Sequence, residues 1–185
     1  MKYIFGIFII IFFNACSVKY EINSTSQHNK TDTININHLK KEINNLSKNI
    51  DKNEALKVAS VAILYSKHLA NEYELVTPPL YHNSLIQMGF KKRGLCFHFA
   101  EDLIKELKKQ ELKTLDLHWV VHAKTQYWEH SSIVVSAKGK SIQDGIILDA
   151  WRNSGELFWS SFKDDTRYKW IEDNWRSKYN GTIRY

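Results

Sequence analysis

Apolar and polar positions along this chain change pattern several times, and each change predicts an element. Tyr3 to Phe13 is an unbroken apolar run behind Lys2. It is too short to cross a bilayer, which takes ~20 residues as a helix. From Ser17 to Asn35 the sequence is polar, without a sustained period. Between His38 and Tyr73 the apolar residues step by three or four, as Leu39, Ile43, Leu46 and Ile50 show. Asp51 with Glu54 reads as a capping box that opens a second helix, striped with Ala55, Leu56, Ala59, Ala62, Ile63 and Leu69. Thr77-Pro78-Pro79 stops that helix and starts another, which ends at Gly89.

Beyond Gly94 an amphipathic helix is predicted from Leu95 to Lys109, with Phe99, Ala100, Leu103, Ile104 and Leu107 inward. Three β-branched and aromatic-rich stretches follow: Thr114–Lys124, Ser131–Ala137 and Gly145–Trp151. The tail from Glu156 to Tyr185, carrying Trp159, Trp170 and Trp175, is expected to wrap the core. Helices first and sheet later imply an α+β class.

Composition narrows this picture. With 185 residues, 43% hydrophobic and 25% charged, the chain is neither wholly disordered, collagenous nor a multi-span membrane protein. A net charge of +6 favours anionic neighbours such as phospholipid head groups or cell-wall polymers, although a Lys-rich solvated surface accounts for it equally. No nucleic-acid partner and no cofactor are expected. Two cysteines exclude a disulfide-stapled scaffold.

Lys2, the apolar run and Asn14-Ala15-Cys16 together resemble a bacterial lipoprotein signal. Phe13 and Asn14 stand where such signals usually carry leucine and a small residue. The resemblance implies cleavage before Cys16, acylation of Cys16 by palmitate-like chains, and an exported, lipid-anchored protein of the cell envelope, on the outer membrane or periplasmic face. The expected organisation is a signal over 1–15, a flexible polar tether over 16–35 and a single domain over 36–185. Cys96 is then the only thiol left.

That thiol lies at the predicted start of a helix, behind Lys91-Lys92-Arg93-Gly94. Unpaired N–H groups and the positive end of the helix dipole there favour a thiolate. A buried, inert cysteine is the commoner fate of such a residue, but an unpaired thiol outside the cytosol is a liability unless it is used. A thiolate nucleophile needs a base and a group to orient that base. His130 opens the strand that follows, and Asp149 closes the apolar strand after it, where a carboxylate is costly unless paired. In a hairpin centred between Gly139 and Lys140, His130 and Asp149 face each other directly. A turn at Asp144-Gly145 would instead set Asp149 against Lys140, and an excursion from Lys138 to Asp144 accommodates both signals. The sequence leaves the register open.

Arg93-Gly94-Leu95-Cys96-Phe97-His98-Phe99-Ala100, then His130 and Leu148-Asp149, resemble the core of transglutaminase-like cysteine enzymes. The likeness runs from Gly94 to Trp151, about a third of the chain. It implies a papain-like or transglutaminase-like core, with the nucleophile helix packed on an antiparallel sheet and extra helices before it. In that arrangement Cys96 attacks, His130 carries the proton and Asp149 holds the imidazole. The related NlpC/P60 peptidases share the cysteine-on-helix, histidine-on-strand plan, and Asp149 favours the transglutaminase-like branch. Papain's glutamine has no counterpart, since Phe90 stands six residues before Cys96. Only the Cys96 backbone N–H is then implied as an oxyanion donor.

Other residues compete for these roles. Trp151 shares a strand face with Asp149 and either shields the histidine–aspartate pair or is a core aromatic. His118 and Trp119 are candidates to border a substrate cleft, although His118 also reads as a hydrogen-bonded core histidine. His118 and His122, on one strand face, would hold zinc only with Cys96 or His98, and no metal motif supports this, so no metal is expected. His98 sits ~200° round the helix from Cys96 and is not expected to be the base. His82 and Asn83 either line the cleft or are exposed helix positions. Glu129 and Asp144 are alternative carboxylates for orienting the base.

The leading expectation is a membrane-anchored cysteine hydrolase or acyltransferase acting on an amide bond of a peptidoglycan stem peptide or an envelope protein. Its rivals are a non-catalytic envelope lipoprotein that binds a peptide or protein partner, and a metal-binding lipoprotein built on His118 and His122.

Overall fold

The structure is a computed structural model and describes residues 30–179. The signal-like run, Cys16 and the first part of the expected tether lie outside the described residues. No helix among the described residues is long and apolar enough to cross a membrane.

The chain is α+β. Helices α1 (Lys30–Asn45), α2 (Lys52–Glu72), α3 (Pro79–Gln87) and α4 (Cys96–Lys108) precede strands β1 (Leu115–His122), β2 (His130–Ala137), β3 (Ile146–Asn153), β4 (Glu156–Ser161) and β5 (Ile171–Glu172). A short helix, α5 (Asn174–Tyr179), follows. The strands form one antiparallel sheet in the order β4-β3-β2-β1-β5.

α1 begins at Lys30, inside the stretch expected to be tether. Ile36, Leu39 and Ile43 are buried there, and Asp32 pairs with Lys67 of α2 at 2.6 Å. Residues 30–35, polar but for the exposed Ile34, therefore complete a helix whose buried apolar stripe starts at Ile36. Asp51 caps α2, accepting from the Asn53 and Glu54 amides at 2.6 and 3.2 Å. Glu54 does not close the expected reciprocal box. Its carboxylate accepts from the amides of Lys113 and Thr114, both at 2.8 Å, and from the Thr114 hydroxyl at 2.7 Å. The start of α2 is thereby tied to the start of β1.

β2 is central and buried along its whole length, because both faces of the sheet are covered. On one face Trp119, Val121, Ile133, Val135, Ile146 and Leu148 pack against α4 and α2. On the other, Val120, Val134 and Ile147 lie under Ile142 and Trp170. The tail thus does more than wrap the core. It supplies β4 at one edge of the sheet, crosses a face, and supplies β5 at the opposite edge.

The connection between β2 and β3 is a long excursion. β2 ends at Ala137, Gly139 turns with φ +74°, and a 3-10 turn over Ile142–Asp144 leads into β3. Ile133 pairs with Leu148, Val134 with Ile147 and Val135 with Ile146. Neither simple hairpin centre has this register. Continued, it sets Ser132 opposite Asp149, so His130 and Asp149 are diagonal neighbours. The shift of two residues preserves the face, because side chains alternate with period two.

Candidate active site

Three elements converge on Cys96. Cys96 is the first residue of α4, after Leu95 in an extended conformation (φ −71°, ψ 160°). His98, two residues on, turns its Nδ1 back to accept from the amides of Gly94 and Leu95 at 3.1 and 3.2 Å. An acceptor nitrogen is unprotonated, and burial, helped by the Arg93 charge, pushes the imidazole down to about 4 against the pull of Asp102. His98 is therefore a cap and not the base.

Gly94 makes the entry to α4 possible. Its φ of +120° disfavours other residues, and a Cβ would stand 2.3 Å from His82 Nε2. His82 is fully buried. It accepts from the Val76 amide at Nδ1 (3.1 Å) and bonds the Arg93 carbonyl through Nε2 (2.9 Å). It neither lines a cleft nor sits exposed; it clamps α3 to the loop before Cys96. The cations of that loop are not all available to the thiol. Lys91 pairs with Glu74 at 2.6 Å and Arg93 with Asp102 at 2.7 Å.

The Cys96 thiol points at the Glu129 carbonyl, 3.7 Å away, which places it beside the first residue of β2. That residue, His130, is only 3% exposed. Its ring lies among Tyr168, Trp151 and Trp170, with centroids at 4.6, 4.9 and 5.3 Å. Nε2 donates to Asp149 Oδ2 at 2.7 Å. Nδ1 is buried and makes no hydrogen bond of good geometry, yet the Cys96 thiol is close enough to raise the imidazole's affinity for a proton. Burial alone would lower that affinity. The charge and hydrogen bond of Asp149, with the smaller contribution of Cys96, lift it to about 9.

Asp149 is fully enclosed, and an unpaired carboxylate there would cost several kcal/mol. It has four donors. Besides His130, Oδ2 takes Arg152 Nε at 2.9 Å, and Oδ1 takes the amides of Trp151 and Arg152 at 3.2 and 3.1 Å. A register irregularity between Asp149 and Asn153 goes with those inward-turned amides. Burial raises the Asp149 pKa, but His130 and Arg152 outweigh it and hold the carboxyl below its usual range.

The remaining candidates fall elsewhere. Trp151 contributes its amide to Asp149 and its ring to His130. Trp119 does not border a cleft: its strand position faces the helices, and it is wholly buried in that core. His118 points to the opposite face, between Glu172 at 2.7 Å and Ser136 at 2.9 Å, and so fastens β5 to the sheet. His122 meets the backbone of Lys169. Among the described residues no three His, Cys, Asp or Glu side chains converge as a metal-ligand set. Glu129 bonds Arg176 at 2.6 Å and the Thr125 amide at 2.7 Å, and Asp144 pairs with Lys163 at 3.4 Å. Neither orients the base.

Arg152, Asp165, Tyr168 and Trp170 complete the site without having been anticipated. Arg152 bonds Asp165 with both terminal nitrogens, at 3.1 and 2.6 Å, and Trp170 Nε1 donates to the same carboxylate at 2.9 Å. The one sequence signal was an arginine three residues after a buried aspartate. As a unit, the site can accept a proton from sulfur at Nδ1 while Asp149 fixes the opposite ring nitrogen.

Comparisons with models of known families, with curated proteins and with solved structures return no match.

Proposed function

We propose that this protein is a papain-like or transglutaminase-like thiol enzyme acting on an amide bond, with Cys96 as nucleophile, His130 as proton carrier and Asp149 as its orienting carboxylate. One observation carries the reading: His130 Nε2 is fixed to Asp149 at 2.7 Å while the other ring nitrogen, without a hydrogen bond of good geometry among the described residues, sits beside a thiol at a helix start. That division of labour between ring nitrogens is what a cysteine–histidine nucleophile requires.

In the reaction, the proton from sulfur rests on Nδ1, as the raised pKa of His130 favours, and Sγ attacks the amide carbonyl carbon as the thiolate. The C–N bond then breaks, Nδ1–H protonates the departing amine, and a thioester remains on Cys96. Water attacking that thioester releases an acid, whereas an amine gives a transferred amide; either restores the thiol. The Cys96 backbone N–H, at the start of α4, donates to the developing oxyanion. The signal-like N-terminus and basic charge favour a substrate in the cell envelope, either a peptidoglycan stem peptide or an envelope protein, with the enzyme anchored through lipid on Cys16.

Alkylation tests the reading. At pH 6 an ordinary thiol of pKa ~8.5 is less than about 1% thiolate. In the native protein iodoacetamide should label Cys96 at least about tenfold faster than that fraction allows, and His130→Ala should remove the advantage. A Cys96 that reacts no faster than in the urea-unfolded chain sinks the enzyme reading and leaves a peptide-binding lipoprotein.

A further inference from the structure

We infer that Tyr127 and Trp128 grip the substrate of this site, and that the substrate is a peptide with a large apolar side chain next to the reacting amide. The inference rests on the thiol-enzyme reading above. Its starting point is a turn that looks costly in isolation. Residues 123–129 join β1 to β2, and two non-glycine residues there, Ala123 and Thr125, adopt positive φ of 50° and 68°. Such conformations are strained for residues with a Cβ, and strain of this kind persists where surroundings over-determine it. Here the brace is visible. Glu129 accepts from the Thr125 amide at 2.7 Å and is itself held by Arg176 of α5 at 2.6 Å.

What the braced turn presents is apolar. Tyr127 is 88% and Trp128 66% exposed. The segment that leads into α4 exposes Met88 and Phe90 as well. Two exposed aromatics side by side on a braced turn mark a surface that meets something. The position of the turn says what. The Glu129 carbonyl lies 3.7 Å from the Cys96 sulfur, so Trp128 and Tyr127 begin one and two residues from the reacting atom. Along an extended peptide, side chains on one side repeat every ~7 Å. A peptide acylating Cys96 would therefore lay a neighbouring side chain against these rings.

Position distinguishes this occupant from a lipid surface. The turn meets the Cys96 sulfur through the Glu129 carbonyl. Of the cations that border the two segments, Lys124 pairs with Asp173 at 2.7 Å and Lys91 with Glu74 at 2.6 Å, while Lys92 is exposed.

The test uses the full chain and three thiol reagents: iodoacetamide, and two dipeptidyl fluoromethyl ketones with phenylalanine or glycine next to the reactive carbonyl. Wild type should react with the phenylalanine probe at least about tenfold faster than with the glycine probe, a difference ordinary for one buried aromatic contact. Trp128→Ala and Tyr127→Ala should shrink that ratio towards one while leaving the iodoacetamide rate within about twofold, as befits exposed side chains. A ratio unchanged in both variants overturns the inference, as does a wild type without preference. An iodoacetamide rate that falls in step with the probe rates also overturns it, because the turn would then serve structure alone. If Trp128→Ala weakens binding to phosphatidylglycerol vesicles and leaves the ratio intact, the turn is a lipid contact and the inference fails. A Cys96 inert to iodoacetamide in wild type is a different failure, that of the thiol-enzyme reading itself.

Discussion

Arg152 donates Nε to the same oxygen of Asp149 that holds His130, at 2.9 Å, from a side chain only 5% exposed. Asp149 thus serves two cations when His130 is protonated. Arg152 in turn serves two carboxylates, because both of its terminal nitrogens are on Asp165. Its guanidinium also lies 3.8 Å from the Phe158 ring centroid and 4.8 Å from that of Tyr168. The Asp149 carboxylate is therefore positioned by its own strand and by the tail together.

Arg152→Met tests this arrangement. Two enclosed carboxylates would lose their shared counter-charge, and removing one partner of a buried ion pair costs roughly 3–5 kcal/mol. Denaturant midpoints should fall accordingly. Arg152→Lys keeps the charge but not the fork, so it should recover only part of the loss. A midpoint within error of wild type for Arg152→Met would show that the network contributes nothing.

Much of this site is legible in the sequence, and the reasons for the rest are physical. Cys96, His130 and Asp149 can be read because each breaks a local pattern: a thiol at a helix start, a histidine opening a strand, a carboxylate in an apolar run. The three central strands are legible because their β-branched runs are long. β4 and β5 are not, since one is six residues and the other two, and each owes its place to a sheet edge already built. The register of β2 against β3 depends on how residues 138–145 fold, with a turn and a 3-10 segment in series. Asp165 and Trp170 reach Arg152 only because the tail crosses the sheet, a long-range contact without local periodicity.

Gly94 offers a sharper probe of the loop that delivers Cys96. An alanine there would place Cβ 2.3 Å from Nε2 and 2.7 Å from Cδ2 of the buried His82, at φ +120°. Strain and overpacking together predict a loss of roughly 2–4 kcal/mol. Gly139→Ala is the control, because its φ of +74° carries backbone strain but a Cβ there meets nothing within 4 Å. It should cost about 1 kcal/mol. Thermal unfolding of both variants checks the contrast, and equal losses would show that His82 yields freely. Iodoacetamide labelling should slow in Gly94→Ala alone.

The pH dependence of stability should have two limbs with separate owners. His130 is raised from 6.5 to about 9, against its burial, chiefly by Asp149. Its contribution is fully present below the unfolded value of 6.5 and disappears as pH rises through 9. On the acid side, burial and Arg93 depress His98 from 6.5 to about 4. The folded chain resists that proton while the unfolded chain takes it, so stability falls progressively from pH 6.5 down to 4. Protonation would also forfeit the acceptor that Gly94 and Leu95 use to enter α4. Asp149, held below its usual range, adds to the loss at still lower pH. Urea midpoints should therefore be highest near pH 6.5 and lower at 4.5 and at 10. In a Cys96→Ser background, which removes the thiol and keeps Asp149, His130→Gln should flatten the alkaline limb and leave the acid limb. His98→Asn should do the reverse, because an amide oxygen can still accept from the two N–H groups without titrating. An alkaline limb that survives His130→Gln would assign it to another group and deny His130 its raised pKa.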